Sequence, residues 1–369
     1  MSSAASAPRP APQAPASHTA RDGTLTLAAV ALLGLGLYFA PQFLDDYGIQ
    51  VLNLVAINAI LALSLNLIYG FTGMFSLGHA GFMAVGAYVC TLFILTPDQK
   101  LAMWILEDIH PALADISLPF SLAVLAGGLA AAVLGVVIAV PVLRLGGDYL
   151  GIATLGFAEI IRVVITNATP FTNGSLGIKG IKAFPEGSSG TWWYFGWLLF
   201  TLYFIVTLLR SNVGNVLKAI RDDEIAARTM GVNTFFYRVL SFSIGAFFAG
   251  VGGALMAVLI STIDPKMFTF MLTFNVLMIV VAGGLGSITG SIIGSIVITV
   301  MLEWLRFVEN PIYFDDFEIP GIPGMRMVIF SLLLMAIILY KRTGLMGMRE
   351  FSWSWFLNPF GGKSDKGAA

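Results

Sequence analysis

Few residues of this 369-residue chain could do chemistry. The most informative lie along one apolar stretch, where Asp148, Gly151, Leu155, Glu159, Arg162 and Thr166 follow at steps of three or four. That spacing puts them on one face of a helix. Thr154 points about a third of a turn away, at roughly 100° per residue. Glu159 stands roughly 16 Å along the helix from Asp148, at about 1.5 Å per residue. If the stretch crosses a bilayer, that carboxylate sits near mid-depth, where a charge costs about 2.5–3.5 kcal/mol on insertion scales. Arg162 can pair with it. Either the face lines a polar path, or the pair is a structural rung buried against a neighbouring helix. Intramembrane charges usually face a path or cavity, which favours the first reading. The interruption at Leu155 favours the second.

A second cluster is YGFTGMFSLGHAGFMAVG, from Tyr69 to Gly86. Gly70, Gly73, Gly78 and Gly81, with Thr72, Ser76 and His79, interrupt two apolar runs. Unwound backbone at membrane depth offers free N–H and C=O groups and often marks a substrate site. The alternative is a loop with close helix contacts. The site reading requires the stretch to fold back into the bundle, because it falls near the end of a span. His79 by itself is either a structural histidine or a proton carrier. A third set is read as packing: Gly286, Gly290 and Gly294 recur every four residues, as do Ala246, Gly250 and Ala254, and Ala249, Gly253 and Ala257. Small residues at that spacing let helix backbones approach closely.

Several chemistries are excluded. The sequence has no GxxxxGK[ST] loop, so the chain does not hydrolyse nucleotide by that route. It has no HExxH, no GxSxG and no pair of facing carboxylates. Cys90 is the single cysteine, sits in an apolar run and forms no internal disulfide. A net charge of −1 gives no field for nucleic acid.

The elements that must carry these residues follow from composition. The chain is 57% hydrophobic and 11% charged, against about 25% charged in soluble domains. Apolar runs near the roughly 20 residues needed to cross a bilayer make it an all-α polytopic membrane protein. Candidate spans are Leu25–Ala40, Gln50–Gly70, His79–Leu95, Leu118–Leu143, Tyr149–Thr166, Trp192–Leu209, Tyr237–Ile260, Phe270–Ala282, Leu285–Leu305 and Met325–Tyr340. The expectation is about ten, or eight plus re-entrant segments. Phe270–Ala282 is too short to cross upright and reads as a half-helix. Residues 1–24, rich in Ala, Pro and Ser, are expected to be a disordered tail. Residues 25–343 form the transmembrane domain, and 344–369 a second tail.

The longest charged interruption is Arg210 to Arg238. Its cations place it in the cytoplasm, and both termini with it. Lys179 and Lys182 then fall outside, against the rule. Within the interruption Asp222 is a good N-cap, with Asp223 and Glu224 in the first turn. Ile225 to Met230 can form about two turns at about 3.6 residues each, Gly231 suits a left-handed C-cap, and Asn233 can cap the next helix.

Three stretches together resemble a known family: LNLIYGFTGMFSLGHAGFMAVGAYV (Leu65–Val89), GGDYLGIATLGFAEIIRVVI (Gly146–Ile165) followed by TNGSLGIKGI (Thr172–Ile181), and AIRDDEIAARTMGVN (Ala219–Asn233). They resemble the inner-membrane permease subunits of ABC importers for branched-chain amino acids, of the longer type. The resemblance covers about Val51 to Gly347. It implies a bacterial inner-membrane protein, working by alternating access beside a second homologous permease and membrane lipid. Two cytoplasmic P-loop ATPase subunits would use ATP and magnesium, and a periplasmic binding protein would deliver substrate. This chain would bind no cofactor and do no bond chemistry. Arg221, Asp222, Asp223, Glu224, Ala226, Ala227 and Gly231 would form the coupling helix against an ATPase. The family's Glu-Ala-Ala, three residues, Gly pattern is met by Ala226, Ala227 and Gly231, with the acid displaced to Glu224 and Ile225 in its place. Thr72, Gly73, Ser76, His79, Gly151, Glu159 and Arg162 are the candidate path. Urea or a short amide is the alternative substrate. A stand-alone proton-coupled transporter is the alternative class.

Overall fold

The computed structural model describes residues 18–104, 107, 109–145, 147, 149–181, 183–184, 190–309, 312–314, 317–319, 324–341, 344–347 and 350. The candidate Asp148, Lys182, and most of both expected tails lie outside these. The chain divides into two compact units, Met1–Leu44 with Phe351–Ala369, and Asp45–Glu350. The first contributes one described helix, α1 (His18–Phe43), with Pro41 in its last turn. It begins at His18, so the helix reaches into the stretch expected to be a tail.

The second unit begins with α2 (Asp46–Asn66). Asp45 caps it, its carboxylate accepting from Gly48 N at 3.0 Å. The helix continues as a π-helical turn, Leu67–Phe71. An extended stretch leads to α3 (His79–Ile94), which bends by 118° into α4 (Pro97–Met103). The single turn α5 (Pro111–Ala114) precedes α6 (Phe120–Val142) and α7 (Tyr149–Asn167). After the turn α8 (Thr169–Thr172) and strand β1 (Ile178–Lys179) come α9 (Thr191–Arg210), α10 (Asn212–Asp222), α11 (Glu224–Thr229) and α12 (Thr234–Ile260). Strand β2 (Thr262–Ile263) pairs antiparallel with β1, Ile178 opposite Ile263. Then follow α13 (Phe270–Gly283), α14 (Ile288–Trp304), the hairpin β3 (Ile312–Phe314) with β4 (Phe317–Ile319), and α15 (Met325–Tyr340).

Every expected span coincides with a helix, but fewer helices meet the length and apolarity of a crossing than the ten expected. Among the described residues seven do, and eight if bent α3–α4 counts as one. Phe270–Ala282 needs correction. A 3-10 turn at Pro265–Met267 extends it, and Pro265–Gly283 is long enough to cross. The broken elements are elsewhere, at the end of α2 and at α3–α4.

The core is built around α12, which packs against α6, α3 and α2. Backbones touch there. A methyl on Gly86 of α3 would run into the Gly250 backbone, one on Gly127 of α6 would come within 2.6 Å of Gly86 O, and one on Gly253 would strike Met83. Without a hydrophobic force between helices in lipid, such dispersion contacts hold a bundle together. Gly290 and Gly294 fit likewise against Gly283 and Ile279. Gly286 departs from the expected stripe, because α14 starts at Ile288 and Gly286 lies in the preceding turn with φ +77°. That turn is strapped by the chain after α15. Leu345 N donates to Ala282 O at 2.8 Å, Met346 N to Gly283 O at 3.1 Å, and Glu350 accepts from Ile288 N at 2.7 Å. Gly344–Gly347 and Glu350 are therefore packed structure, in a region expected to be tail.

Candidate functional site

The cluster at Tyr69–Gly86 is a break that folds back into the bundle. The π-helical turn leaves carbonyls without ordinary helical partners. The Thr72 hydroxyl fills one, donating to Leu67 O at 2.9 Å, and lies 2.7 Å from Ser241 Oγ of α12. Met74 N donates to Ile68 O at 3.0 Å. Gly73 then takes φ +74° and reverses the chain. Residues 74–78 run back along α2. Leu77 N donates to Thr154 Oγ1 of α7 at 3.0 Å, and Ala80 N to Thr273 Oγ1 of α13 at 2.9 Å. His79 is wholly buried, and its Nε2 lies 2.6 Å from Ser64 Oγ. Thr72 and Ser76 are buried too. Gly151 belongs to this group, because a methyl there would come within 2.6 Å of the Phe75 ring.

Of three partners, Ser64 and Asn66 carried no sequence signal that set them apart, and Thr154 read only as a polar residue off the candidate face. Thr154 receives the returning chain. Ser64 holds His79. Asn66 is fully buried, accepting from Gly286 N at 2.9 Å and donating to Ser287 O at 2.9 Å and Ser291 Oγ at 2.8 Å. Each stands inside an apolar run, where only its burial beside another polar group gives it meaning.

The structure separates Glu159 and Arg162 from that group. Helix α7 buries Leu150, Gly151, Thr154, Ile161 and Ile165. Its outer side carries the exposed Ile152, Ile160, Val163 and Val164. The Glu159 side chain is 54% exposed and that of Arg162 26%. Arg162 Nε donates to Glu159 Oε1 at 2.9 Å, and Nη2 makes a second contact with the same oxygen. Among the described residues, the pair is therefore not buried against a neighbouring helix. An ion pair on an otherwise apolar, uncovered helix face is expensive against lipid. It fits water or another protein surface.

At the Phe71 end of α2 the charged interruption forms an arm. Helix α10 is strongly amphipathic and buries Gly214, Leu217 and Ile220. The N-cap of α11 is Asp223, one residue later than expected. Its Oδ1 accepts from Ile225 N at 2.8 Å and Ala226 N at 3.0 Å. Asp222 ends α10 and binds Arg221 instead. The C-terminus matches expectation. Gly231 has φ +83°, Val232 N donates to Ala227 O at 3.2 Å, and the Asn233 side chain accepts from Phe236 N at 3.1 Å. Glu224 turns inward, 2.7 Å from Arg238 Nη2 and 3.0 Å from Arg228 Nη2. Ala227 is buried and Ala226 exposed. Two apolar side chains stand out into the open, Ile225 at 77% and Met230 at 84% exposed. Between the arm and the break lies a half-open cavity of about 440 Å³, lined by Tyr69, Phe75, Leu143, Leu150 and Arg238 among others.

Residues 47–339 match a protein family described as a branched-chain amino acid transport system permease component. The chain belongs to this family. The permease is similar to the high-affinity branched-chain amino acid transport system permease protein LivM of Escherichia coli K12, 34% identical over 71% of this chain and 64% of that protein. The LivM of Salmonella typhimurium LT2 is 33% identical over 67% of this chain and 61% of that protein. A probable LivM of Methanocaldococcus jannaschii is 26% identical over 78% of this chain and 89% of that protein. The permease spans a little under two thirds of the length of the two bacterial relatives. No solved structure gives a significant match. The family assignment makes this a multi-pass membrane transport subunit.

Proposed function

We propose that the permease is one half of the membrane pore of an ATP-driven importer for branched-chain or related neutral amino acids, in a bacterial inner membrane. The observation that carries this reading is α11, a capped two-turn helix at the end of an amphipathic arm, with Ile225 and Met230 uncovered. Such a helix is made to be gripped. Its occupant is one of two cytoplasmic ATPase subunits, which use ATP and magnesium. The arm and both termini face the cytoplasm. The uncovered face of α7, with Glu159 and Arg162, meets a second permease or the water-filled path beside it, and a periplasmic binding protein delivers substrate from outside. Alternating access follows from rocking of the glycine-packed α3–α6–α12 core against the remaining helices, with the break at Thr72–His79 as the internal hinge. The chain binds no cofactor and makes no bond.

The test is reconstitution of this chain with a second permease, ATPase subunits and binding protein in proteoliposomes, with labelled leucine, isoleucine, valine and urea. ATP-dependent uptake of the aliphatic amino acids is expected. Uptake of urea alone would transfer the reading to a short-amide importer. Uptake by this chain alone, driven by a proton gradient, would overturn it.

A further inference from the structure

The root of the arm is held by one side chain. Arg221 lies on the last turn of α10, outside α11. Its Nη1 donates to Gly70 O, in the π-helical turn, at 3.2 Å. Its stem lies over Gly73, so that a methyl there would come within 3.1 Å of Arg221 Cγ. Its guanidinium also lies under the α13–α14 turn, where a methyl on Gly286 would come within 3.2 Å of Nη1. Nε and Nη2 are held by Asp222 Oδ1 at 3.0 and 2.9 Å. One planar fork thus ties the arm to itself and to the π-helical turn, and packs against the α13–α14 turn. Asn66 joins those two turns from the other side through Gly286 N. Arginine suits this place because its rigid fork can serve a carboxylate and a backbone carbonyl at once.

We propose that Arg221 is the positioning residue that transmits movement of the coupling arm into the membrane: it binds the arm to the π-helical turn at Gly70 and packs against the α13–α14 turn at Gly286. A push on α11 then moves the re-entrant stretch 72–78 instead of bending α10 at its base. This assignment rests on the reading of α11 as the ATPase-docking helix. It differs from a docking role, because Arg221 touches this chain's own backbone.

The test uses the complete complex in proteoliposomes, unmutated and with Arg221→Ala or Arg221→Lys. The readouts are ATPase subunits co-purified per permease, and labelled leucine taken up per ATP hydrolysed. With Arg221→Ala the co-purified ratio is expected to hold, while uptake per ATP falls roughly 5–150-fold, the usual range of coupling between sites. Arg221→Lys keeps stem and charge but not the fork, and is expected to fall less. If Arg221→Ala does not accumulate in the membrane, Arg221→Lys decides on the same readouts. Unchanged uptake per ATP in both variants would overturn the proposal. So would loss of co-purifying ATPase, which would put Arg221 in the docking surface. An unmutated complex without ATP-dependent uptake would sink the docking reading itself, whatever Arg221 does.

Discussion

His79 Nε2 lies 2.6 Å from the Ser64 hydroxyl, fifteen residues back along the chain. A continuous helix would place them about 22 Å apart, at roughly 1.5 Å per residue. Their contact therefore measures how far the break returns into the bundle. Because Ser64 Oγ also lies 2.9 Å from Leu61 O, its hydroxyl serves helix and histidine together.

That contact should be worth more than either side chain alone. Ser64→Ala leaves a buried ring nitrogen without its partner, at about 1–3 kcal/mol. A double-mutant cycle with His79→Phe, read by thermal unfolding in detergent, is expected to be non-additive. Additive effects would mean that the two side chains act independently.

Glycine packing separates two kinds of position. Gly86→Ala forces a methyl into the Gly250 backbone and Gly250→Ala one into the Ala131 methyl; each should destabilise by about 1–3 kcal/mol or abolish accumulation. Gly196→Ala on α9 meets nothing within 4 Å and should be neutral, or stabilising by up to about 1 kcal/mol through helix propensity. Equal thermal midpoints for the three would contradict the tight core.

The caps of α11 make a sharper comparison. Asp223→Ala removes the acceptor of two backbone N–H groups and should cost about 1 kcal/mol locally, whereas Asp222→Ala leaves both in place. Gly231→Val must hold φ +83°, which a β-branched residue resists. Hydrogen exchange of α11 should rise in Asp223→Ala and Gly231→Val but not in Asp222→Ala, and uptake per ATP should fall in the same order.

If the uncovered face of α7 lines the path, Glu159→Gln should reduce transport more than assembly; the reverse would put the pair against the second permease. Leu155→Cys, in a Cys90→Ala background, reports whether water reaches that region. Reaction with a membrane-impermeant thiol reagent during turnover is expected. Protection in every state would assign this part of the helix a structural role.

Much of the architecture was legible before any coordinates. Apolar runs placed the ten long apolar helices, because a bilayer demands length and hydrophobicity and both are written locally. The glycine-rich break was legible for the same reason, and so were Gly231 and Asn233 as caps. Asp222 and Asp223 are equally good caps by type. The choice fell to where α10 ends, which its buried Leu217 and Ile220 decide.

Other assignments needed the assembled bundle. Gly151 and Glu159 share a helical face by spacing, yet one meets Phe75 and the other is uncovered, because the returning stretch covers α7 over only part of its length. Gly286 reads as one more small residue in a stripe, and proves to be a turn beneath Arg221. Asn66 and Gly286 are 220 residues apart, and no local pattern could join them. Sequence alone determined where the apolar helices lie and that the chain breaks in the glycine-rich stretch after α2, since those follow from hydropathy and backbone freedom; the bend at α3–α4 and the full length of Pro265–Gly283 came only with the structure. Tertiary structure alone decided which buried polar groups meet, because an unpaired polar group in an apolar interior finds its partner only when the helices pack.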